Sequence, residues 1–223
     1  MSSGQNFVRW FRGAASSPLL SREREKTAPR TTRRCPGLEE FTRDLRGTDE
    51  QKLSVLDLGR TSAANIAFLT DRNIRVYNED ILRAARDPNF RARQEDGTER
   101  LDLDKFFAEN LTYPENHFDA ILCWDVNDYL PEELVSPLVA KISNMLKKKG
   151  GLLALFHNKD AGAESPYCRY HIIQPDTLEL EPGPGSRILR IFNSRHVENL
   201  FKDFASRKFF LGRDNIREVM VVR

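Results

Sequence analysis

Short apolar runs alternate with helical patterns along most of the chain. A buried strand is predicted by LSVLDLG, which starts at Leu53 and closes with an acid and a glycine. A helix is predicted by the following SAANIAFLTDR, whose apolar positions fall on one helical face, and a second strand by IRVYNED, which ends in acids at Asp80. Alternating strands and helices are typical of a parallel sheet that is covered on both faces.

The second half of the chain continues this alternation and then changes direction. A strand is predicted from Phe118 to Trp124, and one long helix by PEELVSPLVAKISNMLKKKGG, which begins at Pro131 and ends in lysines and paired glycines. Because Pro137 lies inside this pattern, we expect a kink or a late start there. After the strand LLALFH and a helix capped by Asn193 or Ser194, two β-rich runs joined by GRDN predict a hairpin.

Three segments have weaker patterns. The stretch from Ile81 to Asn116 is too polar for a regular core element, apart from one amphipathic helix within it. Residues 158–186 are rich in Pro, Gly and Glu and predict a two-stranded insertion, which we expect to shape a pocket. A short helix is expected from Leu38 to Leu45.

Basic residues are concentrated at the start of the sequence. Residues 1–34 hold eight arginines and lysines against two glutamates, while the whole chain of 223 residues has a formal net charge of only +2. We expect residues 1–34 to be a basic tail without fixed structure and residues 35–223 to form one domain. Transit peptides have a similar composition, so mitochondrial import stays open beside the preferred cytoplasmic location.

Composition also bears on partners and metals. No apolar run approaches the roughly 18 residues of a membrane span, and the basic excess lies in the tail, so a nucleic-acid partner is not expected. The three cysteines, Cys35, Cys123 and Cys168, lack C-x-x-C spacing, and the four histidines are scattered. We therefore predict neither a disulfide framework nor a metal site.

The order of these motifs resembles that of the class I S-adenosylmethionine-dependent methyltransferases, from about Leu53 to Arg223. In that family a first strand ends in an acid and a Gly-x-Gly-x-Gly turn, a second strand ends in an acid, a fourth carries FDAI, a fifth follows Gly-Gly, and a closing hairpin adds one antiparallel strand. Asp57, Gly59, Asp80, FDAILCWD, KKKGGLLALF and the hairpin stand at matching places. The resemblance implies an α/β fold with a Rossmann-like, seven-stranded, mostly parallel sheet, helices on both faces and a C-terminal antiparallel hairpin.

The resemblance implies S-adenosylmethionine as cofactor, held by the turn after the first strand. Gly59 lets the methionine and ribose parts approach the backbone, and Asp57 faces the cofactor's amino group or anchors the turn. The second and third glycine positions hold Thr61 and Ala63 instead. Either Thr61 or Ser62 is expected to offer a hydroxyl group to the methionine carboxylate.

Further cofactor contacts are expected at the ends of the second and fourth strands. Asp80 fits the ribose position, with Glu79 as the substitute if the register slips by one. Trp124 is expected to line the crevice at the carboxyl end of the fourth strand. Arg60 is expected to face solvent, although it also suits the cofactor's carboxylate or the space beside it. The adenine contacts stay unassigned within residues 83–110.

Two residues are candidates for chemistry. Asp125 is the first candidate for a general base or for orienting the acceptor, and His157 is the second. An alternative interpretation makes Trp124 a core aromatic, Asp128 a helix cap and His157 an ordinary strand-end residue. Both interpretations are carried forward.

The sequence therefore supports two hypotheses about function. The first is an S-adenosylmethionine-dependent methyltransferase whose acceptor is an unidentified small molecule or protein. The alternative is a non-catalytic binding or regulatory module that keeps the fold around a degenerate cofactor site. A nicotinamide-dependent oxidoreductase is a weaker hypothesis than either of these, because G-x-G-x-x-G is absent after the first strand. The oligomeric state is not predicted.

Overall fold

A computed structural model describes residues 29–159, 165–212 and 214–223. Its elements, in chain order, are β1 (Thr31–Arg34), α1 (Pro36–Arg43), β2 (Leu53–Asp57), α2 (Ala63–Thr70), β3 (Ile74–Asn78), α3 (Ile81–Ala85), a 3-10 turn (Pro88–Phe90), β4 (Arg91–Arg93), β5 (Glu99–Leu101), α4 (Leu103–Glu109), β6 (Phe118–Trp124), α5 (Val126–Tyr129), α6 (Glu132–Met145), β7 (Leu146–His157), β8 (Ser165–Gln174), β9 (Thr177–Ser186), α7 (Ser194–Leu200), β10 (Ser206–Leu211) and β11 (Ile216–Val222).

The central sheet has the order β10-β11-β7-β6-β2-β3. Strands β3, β2, β6 and β7 are parallel, and β11 is antiparallel to both β7 and β10. The α/β fold class and the closing hairpin are therefore confirmed. The sheet has six strands among the described residues, rather than the predicted seven.

Residues 91–101, within the segment of weak sequence pattern, fold outside the central sheet. Strands β4 and β5 pair only with each other, and α4 follows them. Both strands are three residues long and carry charged side chains, such as Arg91, Arg93 and Glu99. Such strands cannot occupy a sheet position that is covered on both faces, where near-continuous apolar sequence is needed.

A second sheet packs near the carboxyl ends of the central strands. Within it, β8 and β9 form a hairpin from the predicted insertion, and β1 adds to the free edge of β9 with Arg34 opposite Thr177. Residues 31–34, assigned to the tail from the sequence, are therefore part of the fold. The rest of the predicted tail, 1–28, lies outside the described residues.

Neighbouring residues of the central strands enter two separate cores, as the two-residue period of a strand requires. Leu56 of β2 and Leu152 of β7 belong to the core beneath α3, α4, α6 and α7. Val55 and Leu153 belong to the opposite core, with α1, α2 and the β8–β9 hairpin. The hairpin therefore covers one face of the sheet as a structural layer.

Several boundaries differ from the sequence predictions, among them the end of the long helix, whose predicted lysines and glycines belong to β7. The second strand ends at Asn78, paired with Asp57 of β2, and Asp80 begins the next helix as its N-cap. The long helix starts at Glu132, so Pro137 lies within its second turn and no late start occurs. No helix among the described residues is long and apolar enough to cross a bilayer.

Candidate functional site

Asp57 is the centre of a buried hydrogen-bond network at the end of β2. Its Oδ1 accepts from the Gly59 backbone N–H at 2.9 Å and from the Trp124 indole Nε1–H at 2.7 Å. Its Oδ2 accepts from the Asn65 side-chain amide at 2.9 Å. Burial raises the pKa of this carboxyl group, and the three donors oppose that rise. Of the two predicted roles, the geometry supports anchoring the turn, since both oxygens are already bonded.

Trp124 lies against the glycine of the same turn. A Cβ atom added to Gly59 would come within 2.6 Å of the indole Cδ1. Trp124 itself has a positive φ of 49°, at the point where β6 ends. On its other side the indole ring stacks on Tyr170, with centroids 5.0 Å apart and planes 6° apart. The indole is 1% exposed, so the turn is covered by protein.

Asn78, which the sequence analysis missed, completes the turn from the neighbouring strand. Its side-chain amide donates to the backbone oxygens of Asp57 and Gly59, at 3.0 and 2.9 Å. Its Oδ1 accepts from the Thr61 hydroxyl group. The sequence does place a polar residue at the end of this strand, opposite Asp57. Because two acids follow it, the strand was predicted to end later, and the ribose contact was predicted at Asp80.

The β8–β9 hairpin is fastened over the turn by the start of α2. Asn65 donates to the Tyr170 carbonyl oxygen at 3.0 Å and accepts from the Ile172 backbone N–H at 2.7 Å. Ser62 is the N-cap of α2 and also lies 2.8 Å from Nδ1 of His171. The Ser62 hydroxyl group is thus engaged within the protein. Ala63 is exposed on the first turn of α2.

The two acids after β3 have separate roles. Asp80 caps α3 by accepting from the Arg83 backbone N–H at 3.0 Å with Oδ1, and its Oδ2 makes no hydrogen bond to a described residue. Glu79 accepts from the Tyr113 hydroxyl group at 2.8 Å. Asp80, rather than Glu79, borders a cavity.

This cavity of about 280 Å³ lies between α3 and the hairpin. Asp80 and Leu82 bound it on one side, and Tyr167 and Ser186 of the hairpin on the other. The side chains of Arg60, Arg83 and Arg86 complete its lining, so Arg60, which was expected to face solvent, lines the cavity instead. Open α/β sheets bind ligands in a crevice at the carboxyl ends of their strands, which is the end from which this cavity opens.

The two candidate catalytic residues lie in separate buried pairs beside β6. Asp125 is 1% exposed, and its Oδ2 accepts from the Tyr170 hydroxyl group at 2.8 Å. Burial raises the pKa of Asp125 to about 7, with Asp128 adding to the rise while His157 and Tyr170 oppose it. The other oxygen, Oδ1, is buried without a hydrogen-bond partner among the described residues.

His157 is paired with Asp128 rather than with Asp125. Its Nδ1 lies 2.8 Å from Asp128 Oδ2, and its backbone N–H donates to the same oxygen at 2.7 Å. Burial lowers the pKa of His157, but hydrogen bonding to Asp128 and the charges of the two aspartates outweigh it, so the pKa is raised. Asp128, which one of the two interpretations made a helix cap, is therefore the partner that orients the imidazole ring.

This region has space for one half of the expected cofactor. Beside Asp80 and Leu82 the cavity is open, and the Asp80 Oδ2, which makes no hydrogen bond to any described residue, is available to a hydroxyl group. Beside Gly59 the space is taken by Trp124 and Tyr170, and the polar groups of Asp57 are already bonded. In this arrangement the nucleoside half has room, whereas the methionine half does not.

Metal ligation has no support in the part of the chain that the structure describes. No group of three or more His, Cys, Asp or Glu side chains there is placed to hold a metal ion. The carboxylates at the strand ends are instead held by protein donors, such as Trp124 on Asp57 and Tyr170 on Asp125.

Comparison with solved structures finds proteins to which this chain is similar in fold at low sequence identity. One is a 1,6-didemethyltoxoflavin-N1-methyltransferase from Burkholderia thailandensis with bound 1,6-didemethyltoxoflavin and S-adenosylhomocysteine, at 12% identity and a TM-score of 0.47, covering 84% of this chain and 76% of that one. Another is an S-adenosylmethionine-dependent methyltransferase from Mesorhizobium loti, at 11% identity and a TM-score of 0.47, covering 84% and 96%. At these values neither likeness carries an argument about the site.

Comparison by sequence gives a firmer result. No curated protein matches the chain. The family model described as a methyltransferase domain matches residues 30–204, which include the turn at Gly59, the acids after β3, the end of β6 and the whole hairpin. The chain therefore belongs to the methyltransferase-domain family.

Proposed function

We propose that this chain is an S-adenosylmethionine-dependent methyltransferase. The observation that carries the proposal is the cavity beside Asp80, which opens at the carboxyl ends of the parallel strands in a chain of this family. Bound there, S-adenosylmethionine supplies an electrophilic methyl group. Asp80 would hold the ribose through Oδ2, which has no other partner among the described residues, and Leu82 offers an apolar contact to the nucleoside.

Binding of the methionine half of the cofactor requires a rearrangement beside Gly59. For that half to reach Gly59, the Trp124 indole must leave its position between Asp57 and Tyr170. Breaking the Trp124 hydrogen bond and the ring stack costs free energy that cofactor binding must supply. We therefore expect modest affinity, and tighter binding when the indole is removed.

We infer that Asp125, paired with Tyr170, or His157, paired with Asp128, accepts the proton that a methyl acceptor must lose. Asp125, with a pKa near 7, is poised to accept a proton at neutral pH once Tyr170 is displaced. His157 is the second candidate, because Asp128 fixes its Nδ1 and leaves Nε2 for an acceptor. The acceptor itself, small molecule or protein, is not specified by these residues.

The alternative function predicted from the sequence makes a different prediction for the same part of the site. The indole of Trp124 packs on Gly59, and Asn65 fastens the hairpin above it with two hydrogen bonds. This closed arrangement suits a non-catalytic binding or regulatory module that keeps the methyltransferase fold. Such a module would leave the methionine half of the cleft permanently filled.

Calorimetric titration with S-adenosylmethionine and S-adenosylhomocysteine separates the two functions. A methyltransferase binds both, and Asp80→Ala weakens binding by about 1–3 kcal/mol through the lost hydrogen bonds. Asp80→Asn is the matched control for folding, since an asparagine also caps a helix. Absence of binding at millimolar concentration, in the wild type and in Trp124→Ala alike, would contradict the methyltransferase and favour the binding module.

A further inference from the structure

Strand β10 forms one edge of the central sheet, and alternate residues of it point their backbone groups away from the sheet. Among the described strands it pairs only with β11. The Gly212 backbone N–H donates to the Ile216 carbonyl oxygen at 3.3 Å, so the even-numbered residues of β10 hydrogen-bond to β11. The backbone N–H and C=O groups of Phe209 and Leu211 therefore point outward, where no described strand pairs with them. Such an edge is a template for another strand.

The outer part of β10 is apolar, and the two basic residues before it are held by the chain's own fold. Leu211 is 77% exposed and Phe209 is 38% exposed. Arg207 donates to three backbone carbonyl oxygens that follow α7, at 2.9, 3.2 and 3.3 Å, and Lys208 forms an ion pair with Glu40. Charged side chains on an edge strand normally hinder its association with other strands. Here both are turned back, and the apolar residues are left uncovered.

The apolar residues of β10 complement themselves when two copies of the strand lie antiparallel. Residues that lie directly opposite each other in an antiparallel pair share one face of the sheet and contact each other. A two-fold axis at Phe210 sets Phe209 of one copy opposite Leu211 of the second copy, and Phe210 opposite its own equivalent. Phe209 and Leu211 are also the residues whose backbone groups point outward. The same register therefore pairs apolar side chains and unpaired backbone groups.

Charge complementarity favours this register as well. It sets Lys208 of one copy opposite Gly212 of the second copy. A Cβ atom added to Gly212 would clash with Oδ1 of Asp214, so this carboxylate occupies the place of the missing side chain, on the face that carries Lys208. Within the described chain, Asp214 Oδ1 accepts two long hydrogen bonds of 3.4 Å. An ammonium group has three donors, so Lys208 keeps donors for this oxygen beside its contact with Glu40.

We infer that the free edge of β10 binds the same edge of a second copy of this chain, so that the two central sheets become continuous. The occupant is a second copy because the apolar positions and the charges of Lys208 and Asp214 complement each other across the axis. Pairing an edge with itself uses both edges, which closes the assembly as a dimer. The inference does not depend on methyl transfer, since it rests on the β10 edge alone.

Sedimentation velocity of the full chain over a series of concentrations tests the dimer. The wild type should form a species of twice 25.7 kDa. Leu211→Lys should raise the Kd of the dimer about tenfold or more, because it sets an unpaired charge against Phe209 of the second copy. Ile173→Lys, at an apolar residue of β8 that is 46% exposed, is the matched control and should leave the dimer unchanged. A wild type that stays monomeric, or a Leu211→Lys variant that dimerises as well as the wild type, would overturn the inference.

A mixture of two variants tests the register. In Leu211→Lys alone the introduced lysine lies opposite Phe209, and in Phe209→Glu alone the introduced glutamate lies opposite Leu211, so each variant should be largely monomeric. In an equimolar mixture the lysine of one chain lies opposite the glutamate of the other, and the dimer should return. Circular dichroism of each variant alone checks that it is folded. Folded variants that stay monomeric when mixed would contradict the axis at Phe210.

Discussion

The indole Nε1 of Trp124 donates a 2.7 Å hydrogen bond to Oδ1 of Asp57 across the carboxyl ends of two neighbouring parallel strands. The same carboxylate oxygen accepts from the Gly59 backbone N–H. The residue that closes β6 therefore supports the turn that follows β2. The sequence resemblance predicts the cofactor at this turn, so we expect the Trp124–Asp57 contact to link the stability of the turn to access to the site.

Removal of the indole donor should destabilise the protein. Trp124→Phe keeps a ring to stack on Tyr170 but leaves Asp57 Oδ1 with only the Gly59 donor. We expect a loss of about 1.5–3 kcal/mol in the free energy of unfolding, the usual contribution of a hydrogen bond to a charged group. Urea denaturation followed by circular dichroism measures it. A loss below about 0.5 kcal/mol would argue against the contact.

The contact between Gly59 and Trp124 predicts a non-additive pair of substitutions. Gly59→Ala places a Cβ atom 2.6 Å from the indole Cδ1, so we expect overpacking to cost about 1–3 kcal/mol. In a Trp124→Ala background the same substitution should cost much less, because the clashing ring is gone. Unfolding free energies of the four proteins complete the cycle. Gly151→Ala, whose Cβ would lie 3.6 Å from Met220, is the control for glycine replacement alone.

The elements of the central sheet could be predicted because each leaves a local signal. The apolar runs of β2 and β6 and the closing hairpin were read directly from the sequence. By contrast, Asn65 and Tyr170 meet only because the β8–β9 hairpin folds back on the start of α2, across more than a hundred residues. A contact of that separation has no local pattern. Ser62 and Trp124 were therefore predicted to contact the cofactor, although both are engaged by protein partners, His171 for Ser62 and Asp57 for Trp124.

Asp80 illustrates a different limit. Asp80 was predicted at the end of the second strand, but the pattern could not fix where β3 ends, and the strand closes at Asn78, two positions before Asp80. A helix cap and a strand-end ligand use the same residue types, because both need a short side chain with an oxygen acceptor. Only the register with Asp57 distinguishes them.

Asp125 should make stability fall as pH rises. Its pKa in the folded protein is about 7, mainly because of burial, whereas an unfolded aspartate titrates near 4. Between these values the folded state holds a proton that the unfolded state has lost, so the free energy of unfolding decreases with pH, by at most about 1.4 kcal/mol per pH unit. Above pH 7 this contribution is constant. The raised pKa values of Asp128 and His157 act in the same direction.

Asp125→Asn isolates the contribution of this one group. The amide cannot ionise but can still accept from the Tyr170 hydroxyl group. Urea denaturation from pH 5 to pH 8 should show the variant gaining stability relative to the wild type up to pH 7 and keeping a constant advantage beyond it. A wild-type profile parallel to that of Asp125→Asn would mean that Asp125 is ionised throughout.

The pair of Arg33 and Glu218 predicts that β1 belongs to the stable core. Arg33 Nη2 lies 2.8 Å from Glu218 Oε1, the Glu218 side chain is 0% exposed, and its other oxygen accepts from the Gly37 backbone N–H at 2.5 Å. Arg33→Met removes the cation and leaves a buried carboxylate without its ionic partner. Breaking a buried pair in this way typically costs about 3–5 kcal/mol, a loss that chemical denaturation would register directly.

The neighbouring arginine in the same strand provides the comparison. Arg34 pairs with Asp176 at 2.6 Å, but its side chain is 77% exposed, so Arg34→Met should change stability far less than Arg33→Met. The double variant Arg33→Met/Glu218→Met should recover much of the loss, because it removes both buried charges and fills their place with apolar atoms. Similar effects of Arg33→Met and Arg34→Met would instead place residues 31–34 outside the cooperative unit, in the tail that composition alone suggested.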